Sequence, residues 1–374
     1  MVVGTHFGAT CIRPRPGAER GTGRCSRQPD RVRAAQAAGR GRTVRVEWSS
    51  DTVSPSNETT VRRTKIGIVG AGSVGTSLAY AAMIRGTSTD IALYDLQTAK
   101  VQAEALDLSH GQMFAPGVRV EGSDDVAVLK DADIVFVTAG AKQKPGQTRL
   151  DLAGANTAIL KSLMPQLLEQ APQAVFVLVT NPCDVLTVVA QQITGLPYQR
   201  IMSSGTVLDT SRLRWLIGNE AQVNTSSVHA YIIGEHGDSE FPVWSSASIG
   251  QVPVSEWEVD GRRPFTPERL VELKDQVVNA AYRVIEGKGA TNYAIGLAGV
   301  RIAEAVLKDQ QAVLSVSTVL DDYYGVSGVA LSVPSVVGGT GVGQRLRIPM
   351  GEPEKEQLRA SAETMRASLR DLGF

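Results

Sequence analysis

A doubly wound parallel α/β sheet, followed by a mixed α+β half, is predicted from three features of the 374-residue sequence. A short β-branched run, Lys65-Ile66-Gly67-Ile68-Val69, leads directly into Gly70-Ala71-Gly72-Ser73-Val74-Gly75, a G-x-G-x-x-G turn. A second apolar run, Ile91 to Tyr94, ends on Asp95, 20 residues past Gly75. Two more buried-strand runs, 133–137 and 174–179, are separated by a helical stretch, 151–170. Strands and helices that alternate in this way build parallel sheets.

Each element has a local reason. The first run is apolar on both faces and bounded by glycine, as a buried strand is. Gly70 permits the tight turn, Gly72 lets backbone approach a pyrophosphate, and Gly75 lets helix and strand pack closely. Residues 76–85 read as a helix whose N-terminal N–H groups and dipole face the phosphates. Asp95, at the end of the second strand, is placed to accept both ribose hydroxyls of NAD and to repel the 2′-phosphate of NADP. The expected cofactor is therefore NAD, with Gly70, Gly72, Ser73, Val74, Gly75 and Asp95 as its contacts. Ligands sit beyond the carboxyl ends of such strands, so the segment after Val137 and Asn181 belong near the cofactor. Helix 99–108 precedes His110, where a cation suits the helix end. Further along, 228–233 reads as a strand, and 267–288 and 293–308 as helices. Stretches 311–320 and 329–337 read as strands, and 354–372 as a closing helix. No internal repeat is visible.

Composition narrows the function. The formal net charge is +0, yet residues 1–63 hold 12 Arg, no Lys and 5 acids, a balance of +7 that leaves −7 on the remainder. An acidic body argues against nucleic acid as the main partner. No window approaches the ~18 apolar residues of a membrane span, so no membrane partner is expected. Three cysteines, Cys11, Cys25 and Cys183, make neither a disulfide framework nor a zinc cluster. No metal site is expected, and a reducing, cytoplasmic location fits. Segment 1–63 shows no sustained period and reads as a disordered basic tail or a misassigned start. A targeting peptide or a nucleic-acid-binding arm is the functional alternative for it. Cys183 reads as a buried small hydrophobe or as a redox-sensitive thiol.

Seven motifs then occur in one order: GAGSVG, LYD, TAGAKQKPGQTRLDL, TNPCDVLT, SSGTVLDTSRLR, VHAYIIGEHGDSEFPVWS and GKGATNYAIG. Together they resemble the bacterial L-lactate dehydrogenases of the lactate/malate dehydrogenase family, from about residue 64 to the end. The resemblance implies a Rossmann-type NAD-binding domain over 64–206 and a substrate domain over 207–374. It implies hydride transfer between NADH and pyruvate giving L-lactate, in a homotetramer. The alternatives are malate or another 2-hydroxy acid as substrate, or a catalytically silent NAD-binding protein on the same fold.

The resemblance also assigns roles that the residue chemistry supports. His236, in a glycine-flanked turn, matches the general acid/base, since imidazole titrates near neutrality. Asp209 matches the carboxylate that orients it and stabilises imidazolium; capping the following helix is a second role for the same side chain. Arg212, one helical turn on, matches the bidentate holder of the substrate carboxylate. Arg149 ends the Pro- and Gly-containing stretch from Lys142, which reads as a loop and resembles a lid, and it would polarise the ketone. Gln143 stands where malate-type relatives carry an arginine, so a second substrate carboxylate would go unpaired unless Lys142 or Lys144 reached it. Thr291 matches a pocket residue beside the substrate side chain. Asn181 matches the residue that positions nicotinamide or substrate oxygen, and Ser204 matches a contact at the cofactor pocket's edge. Arg214 and His229 match the pair that binds fructose 1,6-bisphosphate in allosteric relatives. Arginine and protonated histidine suit phosphate, although either could be a plain surface residue.

Overall fold

The computed structural model of the protein describes residues 63–141 and 149–374. The expectations for the basic segment up to residue 62, and for Gln143, Lys142 and Lys144, fall outside the described residues. Six parallel strands carry the first half: β1 (Lys65–Val69), β2 (Asp90–Tyr94), β3 (Arg119–Ser123), β4 (Ile134–Val137), β5 (Val175–Leu178) and β6 (Ile201–Ser203). They lie side by side in the order 3-2-1-4-5-6, with every neighbouring pair parallel. This is the expected doubly wound Rossmann order. Helices α1 (Ser73–Arg85), α2 (Thr98–His110), α3 (Arg149–Gln170) and α4 (Cys183–Thr194) alternate with these strands.

Successive strand residues point to opposite faces, and both faces here are covered. Ile66, Ile68, Ile134, Phe136 and Val177 pack with Leu78 and Val101 on one side. Val69, Val135, Val137, Phe176 and Leu178 pack with Leu160, Met164 and Leu186 on the other. Two-sided burial is why the strands read as unbroken apolar runs. The edge strand β3, Arg119-Val120-Glu121-Gly122-Ser123, buries only Val120 fully, and β6 is three residues long. Neither carries an apolar run that marks it in sequence. Helix α4 has eight consecutive buried residues from Cys183 to Ala190, a pattern without the one-sided stripe of a surface helix.

The second half contains α5 (Val207–Glu220), β7 (Val228–His229), β8 (Ile232–Ile233), β9 (Phe241–Pro242), β10 (Ser248–Ile249) and β11 (Val252–Pro253). Then follow α6 (Pro267–Val278), α7 (Ala280–Lys288), α8 (Tyr293–Leu307), β12 (Ala312–Leu314), β13 (Ser317–Val319), β14 (Ala330–Ser332), β15 (Ser335–Gly338), β16 (Gly341–Arg345) and α9 (Glu352–Asp371). Four stretches expected as single elements are broken. The run 228–233 splits because β7 pairs with β10 while β8 pairs with β9. Runs 311–320 and 329–337 are each divided between a three-stranded sheet (β12, β15) and the main sheet (β13, β14). Pro334, with no N–H to donate, sits at one of those crossings. Helix 267–288 breaks at Asn279, whose side chain bonds the Asp275 carbonyl at 2.8 Å and so competes with the backbone.

Strand β13 joins β6 antiparallel at Ser317–Ser203, and β14 follows it. The eight-stranded sheet therefore runs from the first half into the second. Helix α8 lies on α1. A Cβ at Gly296 would stand 2.9 Å from the Ser77 backbone, and one at Gly299 would stand 2.5 Å from Leu78. The crossing is clamped by Arg85, which donates from Nε and Nη2 to Glu304 at 2.8 and 2.9 Å. Gly296→Ala should push the two helices apart and cost about 1–3 kcal/mol, read as a lower urea midpoint at constant slope. An unchanged midpoint would mean the contact is not tight.

Candidate active site

The glycine turn has the shape its residues imply. Gly70 has φ +100°, and a Cβ there would meet the Ala139 backbone nitrogen at 2.7 Å. A Cβ on Gly75 would lie 2.0 Å from the Gly70 carbonyl oxygen, whereas nothing lies within 4 Å of one on Gly72. Gly72 is thus the bare edge, beside the start of α1, which no side chain caps. Asp95 leaves β2 with Oδ2 accepting from Ala71 N–H at 2.8 Å and Oδ1 from Gln97 N–H at 3.0 Å. The Asp95 carboxylate is therefore anchored to the glycine turn. These features fit a dinucleotide: open backbone, an uncapped helix start and a fixed acid.

Asp209, Arg212 and His236 come together in the second half. Asp209 is 1% exposed, in the first turn of α5. Its Oδ2 lies 2.8 Å from His236 Nδ1, and its Oδ1 accepts from Arg212 Nη1 at 2.5 Å. The helix-capping role for Asp209 is thereby corrected. Thr206 holds the N-cap position, and the carboxylate is committed to His236 and Arg212 instead. Arg212 has five N–H donors, so this pair leaves donors for a further carboxylate. Burial would lower the His236 pKa, but the charge and hydrogen bond of Asp209 outweigh it, and the group is held well above the usual histidine value. The same partners pull Asp209 below the usual range against the opposing effect of its burial.

The histidine turn is tied at three successive amides. Gly234 N–H donates to Ser332 O at 3.0 Å, Glu235 N–H to Ser361 Oγ at 2.8 Å, and His236 N–H to Asp184 Oδ2 at 2.6 Å. These partners belong to β14, α9 and α4. Asp184, Glu240 and Asn156 are site residues the sequence reading missed. Asp184 is 2% exposed, and burial raises its carboxyl to about 6; its other oxygen accepts from Ser203 Oγ at 3.2 Å. Asn156 on α3 accepts from Ala141 N–H at 2.7 Å and donates to Asn181 O at 2.8 Å. It thus fixes the last described residue before 142–148. Glu240 is 3% exposed, with Oε2 3.7 Å from His236 Nδ1. A buried acid is the one signal available for each carboxylate, and sequence does not show burial.

Other expected residues are placed as follows. Asn181 is exposed just past β5, and Thr291 is half-buried between α7 and α8. Ser204 is 3% exposed, its N–H on Leu178 O at 3.0 Å. Arg149, expected in the loop, instead opens α3, and its side chain lies outside the described residues. Arg214 donates from Nε to Ala230 O at 2.9 Å and lies over the Tyr231 ring. His229, adjacent to Ala230, is exposed on β7, so the pair comes from neighbouring parts of one surface. Arg214 also lines a cavity of about 260 Å³ with Thr225, Ser226, Tyr231 and Arg301. Cys183 is buried, its thiol pushed up to about 12 by burial, which disfavours the reactive thiolate. No helix among the described residues is long and apolar enough to cross a membrane.

Residues 64–203 match the lactate/malate dehydrogenase NAD binding domain, and 206–372 match the α/β C-terminal domain of the same group. The chain belongs to the lactate/malate dehydrogenase family. It is an NAD-dependent oxidoreductase. An L-lactate dehydrogenase of Bifidobacterium animalis subsp. lactis is 50% identical over 315 residues, 84% of this chain and 98% of the relative. One from Thermoanaerobacterium saccharolyticum is 45% identical over 309 residues, 82% of this chain and 99% of the relative. Among solved structures, a minor L-lactate dehydrogenase from Enterococcus mundtii in a ligands-bound form superposes with TM-score 0.79. It is 39% identical and covers 82% of this chain and 98% of its own.

Asp184→Ala should leave the His236 N–H without its acceptor. The expected cost is about 1–3 kcal/mol of stability, measured by denaturant unfolding, with a loss of turnover. Full stability in that variant would show the bond to be dispensable.

Proposed function

We propose that the protein is an L-lactate dehydrogenase, reducing pyruvate to L-lactate and catalysing the reverse reaction. The observation that carries this reading is the single buried carboxylate of Asp209, shared by the His236 imidazole and the Arg212 guanidinium. A 2-hydroxy acid or 2-keto acid offers a carboxylate beside an oxygen that gains or loses a proton. Arg212 and His236 meet those two groups.

With Nδ1 committed to Asp209, Nε2 is the nitrogen that exchanges a proton with substrate. In reduction, protonated His236 gives its Nε2 proton to the C2 oxygen of pyruvate; in oxidation, neutral His236 takes the hydroxyl proton of lactate. Asp209 stabilises the imidazolium before the transfer. Arg212 holds the substrate carboxylate bidentately, and Arg149, at the start of α3, polarises the ketone. Thr291 and Asn181 line the substrate, and Ser204 lies at the edge of the cofactor pocket. NAD(H), when bound at Gly70, Gly72, Ser73, Val74, Gly75 and Asp95, supplies or accepts the hydride.

Gln143 is the selector. A neutral amide accepts the methyl of pyruvate and leaves a second carboxylate unpaired in a closed site, at a cost of several kcal/mol. We assign fructose 1,6-bisphosphate as an activator held by Arg214 and His229, whose charged forms complement phosphate. Two subunits meeting there would double the set, which suits the homotetramer. Cytoplasmic location accords with this chemistry.

Steady-state NADH oxidation with pyruvate and with oxaloacetate, each with and without fructose 1,6-bisphosphate, tests the whole reading. Pyruvate should be preferred by about a hundredfold in kcat/KM, as ~3 kcal/mol of unpaired charge implies, and Gln143→Arg should reverse the order. A preference for oxaloacetate would instead make Lys142 or Lys144 the partner of a second carboxylate and the enzyme a malate dehydrogenase. Activation lost in an Arg214→Gln variant supports the effector pair; activation retained removes it.

The pH dependence has a definite sign. Reduction needs protonated His236, so its rate should hold through neutrality and fall as pH rises through the raised pKa. Lactate oxidation should rise over the same range. Asp209→Asn removes the anion that raises that pKa, so both limbs should move to lower pH. Limbs that stay in place would separate Asp209 from the proton step.

A further inference from the structure

We propose that Glu240 is a positioning residue, a second carboxylate beside His236 Nδ1 whose charge sets how tightly the imidazole holds its proton. This rests on the reading of His236 as the group that exchanges a proton with substrate. Glu240 stands four residues after His236, in a turn closed by its own N–H on the Gly237 carbonyl at 3.2 Å. The turn brings Oε2 back to 3.7 Å from Nδ1, while Asp209 Oδ2 lies at 2.8 Å. A protonated Nδ1 has one hydrogen, and Asp209 is placed to take it. Glu240 is therefore not the hydrogen-bonded partner. Its Oε2 is buried and has no hydrogen-bond partner among the described residues.

A bare carboxylate oxygen in a dry pocket is costly unless a cation answers it. The groups facing it explain when that happens. Asp209 and Arg212 come from α5, Cys183 and Asp184 from α4, and Glu235 lies on the same turn. Asp184 is occupied by His236 N–H and Ser203. With His236 protonated, two cations, His236 and Arg212, balance Asp209 and Glu240. With His236 neutral, one cation faces two carboxylates, and Glu240 becomes the group that takes a proton. Burial, then the charge of Asp209, raises the Glu240 carboxyl to about 7, so this side chain can carry a proton near neutrality. The two groups titrate as a pair. At a given pH an ionised Glu240 raises the share of imidazolium and so favours reduction, and loss of its charge raises the share of neutral imidazole.

The experiment is Glu240→Gln in the full-length protein, with thermal unfolding as the check on folding. His236 is followed by NMR titration of its labelled imidazole in the resting enzyme, and pyruvate reduction and lactate oxidation are profiled against pH. The His236 titration should move down by about one pH unit, and the kinetic limbs of both reactions should move with it. Glu240→Asp, which keeps the charge, should restore most of the shift. A folded Glu240→Gln protein whose His236 titrates as before overturns the proposal. So does a rate lowered at every pH with the limbs in place, the sign of a structural role. Failure of the wild type to turn over pyruvate would defeat the functional reading separately, because the NMR arm needs no turnover.

Discussion

The second half of the molecule is organised around the buried charge of Asp209. Asp209 carries a carboxylate that water does not reach, and such a group is tolerated only when cations and hydrogen bonds surround it. Arg212 supplies one from a helical turn away, at fixed local geometry. His236 supplies the other from 27 residues on. The first pairing is nearly automatic once α5 forms. The second requires the second half of the chain to be folded correctly, so site assembly and fold assembly are the same event.

The sheet makes that possible. Had the second half formed an independent layer, the histidine turn would depend on a mobile interface. Instead β13 and β14 extend the parallel sheet beyond β6, and Ser332 at the end of β14 bonds both ways to Gly234. The glycine at that point has φ +98°, which ordinary side chains rarely adopt. Asp184, at the start of α4, then fixes the next turn residue but one. The glycine turn after β1 and the His236 turn beside β14 are thus both tied to one continuous hydrogen-bonded sheet. Positioning of this kind is what a hydride and a proton transfer to adjacent atoms require.

The same buried surroundings give the site its electrostatic character. Asp184, Asp209, Glu240 and His236 lie close together, and the charge of one shifts the proton affinity of its neighbours. Asp209 is kept ionised by its partners, while Asp184 and Glu240, with fewer, are pushed up. Carboxylates of similar chemistry thus diverge because of what faces them.

Sequence by itself determined the local parts. The strand–glycine turn–helix, Asp95 at the end of β2, the alternation of elements and the seven ordered motifs were all legible, because backbone conformation, short-range packing and motif spacing are encoded by neighbouring residues. Gly70, Gly72 and Gly75 each behave as their positions imply. Tertiary structure alone decided where long apolar runs change sheets, since a run records burial but not its partner; hence the division of 311–320 and 329–337. It also decided the use of Asp209, legible as a cap or as a partner until His236 is brought to it. Asp184, Asn156 and Glu240 were silent in sequence for the same reason. An acid or amide looks alike in water and in a core, and only the folded chain removes the water.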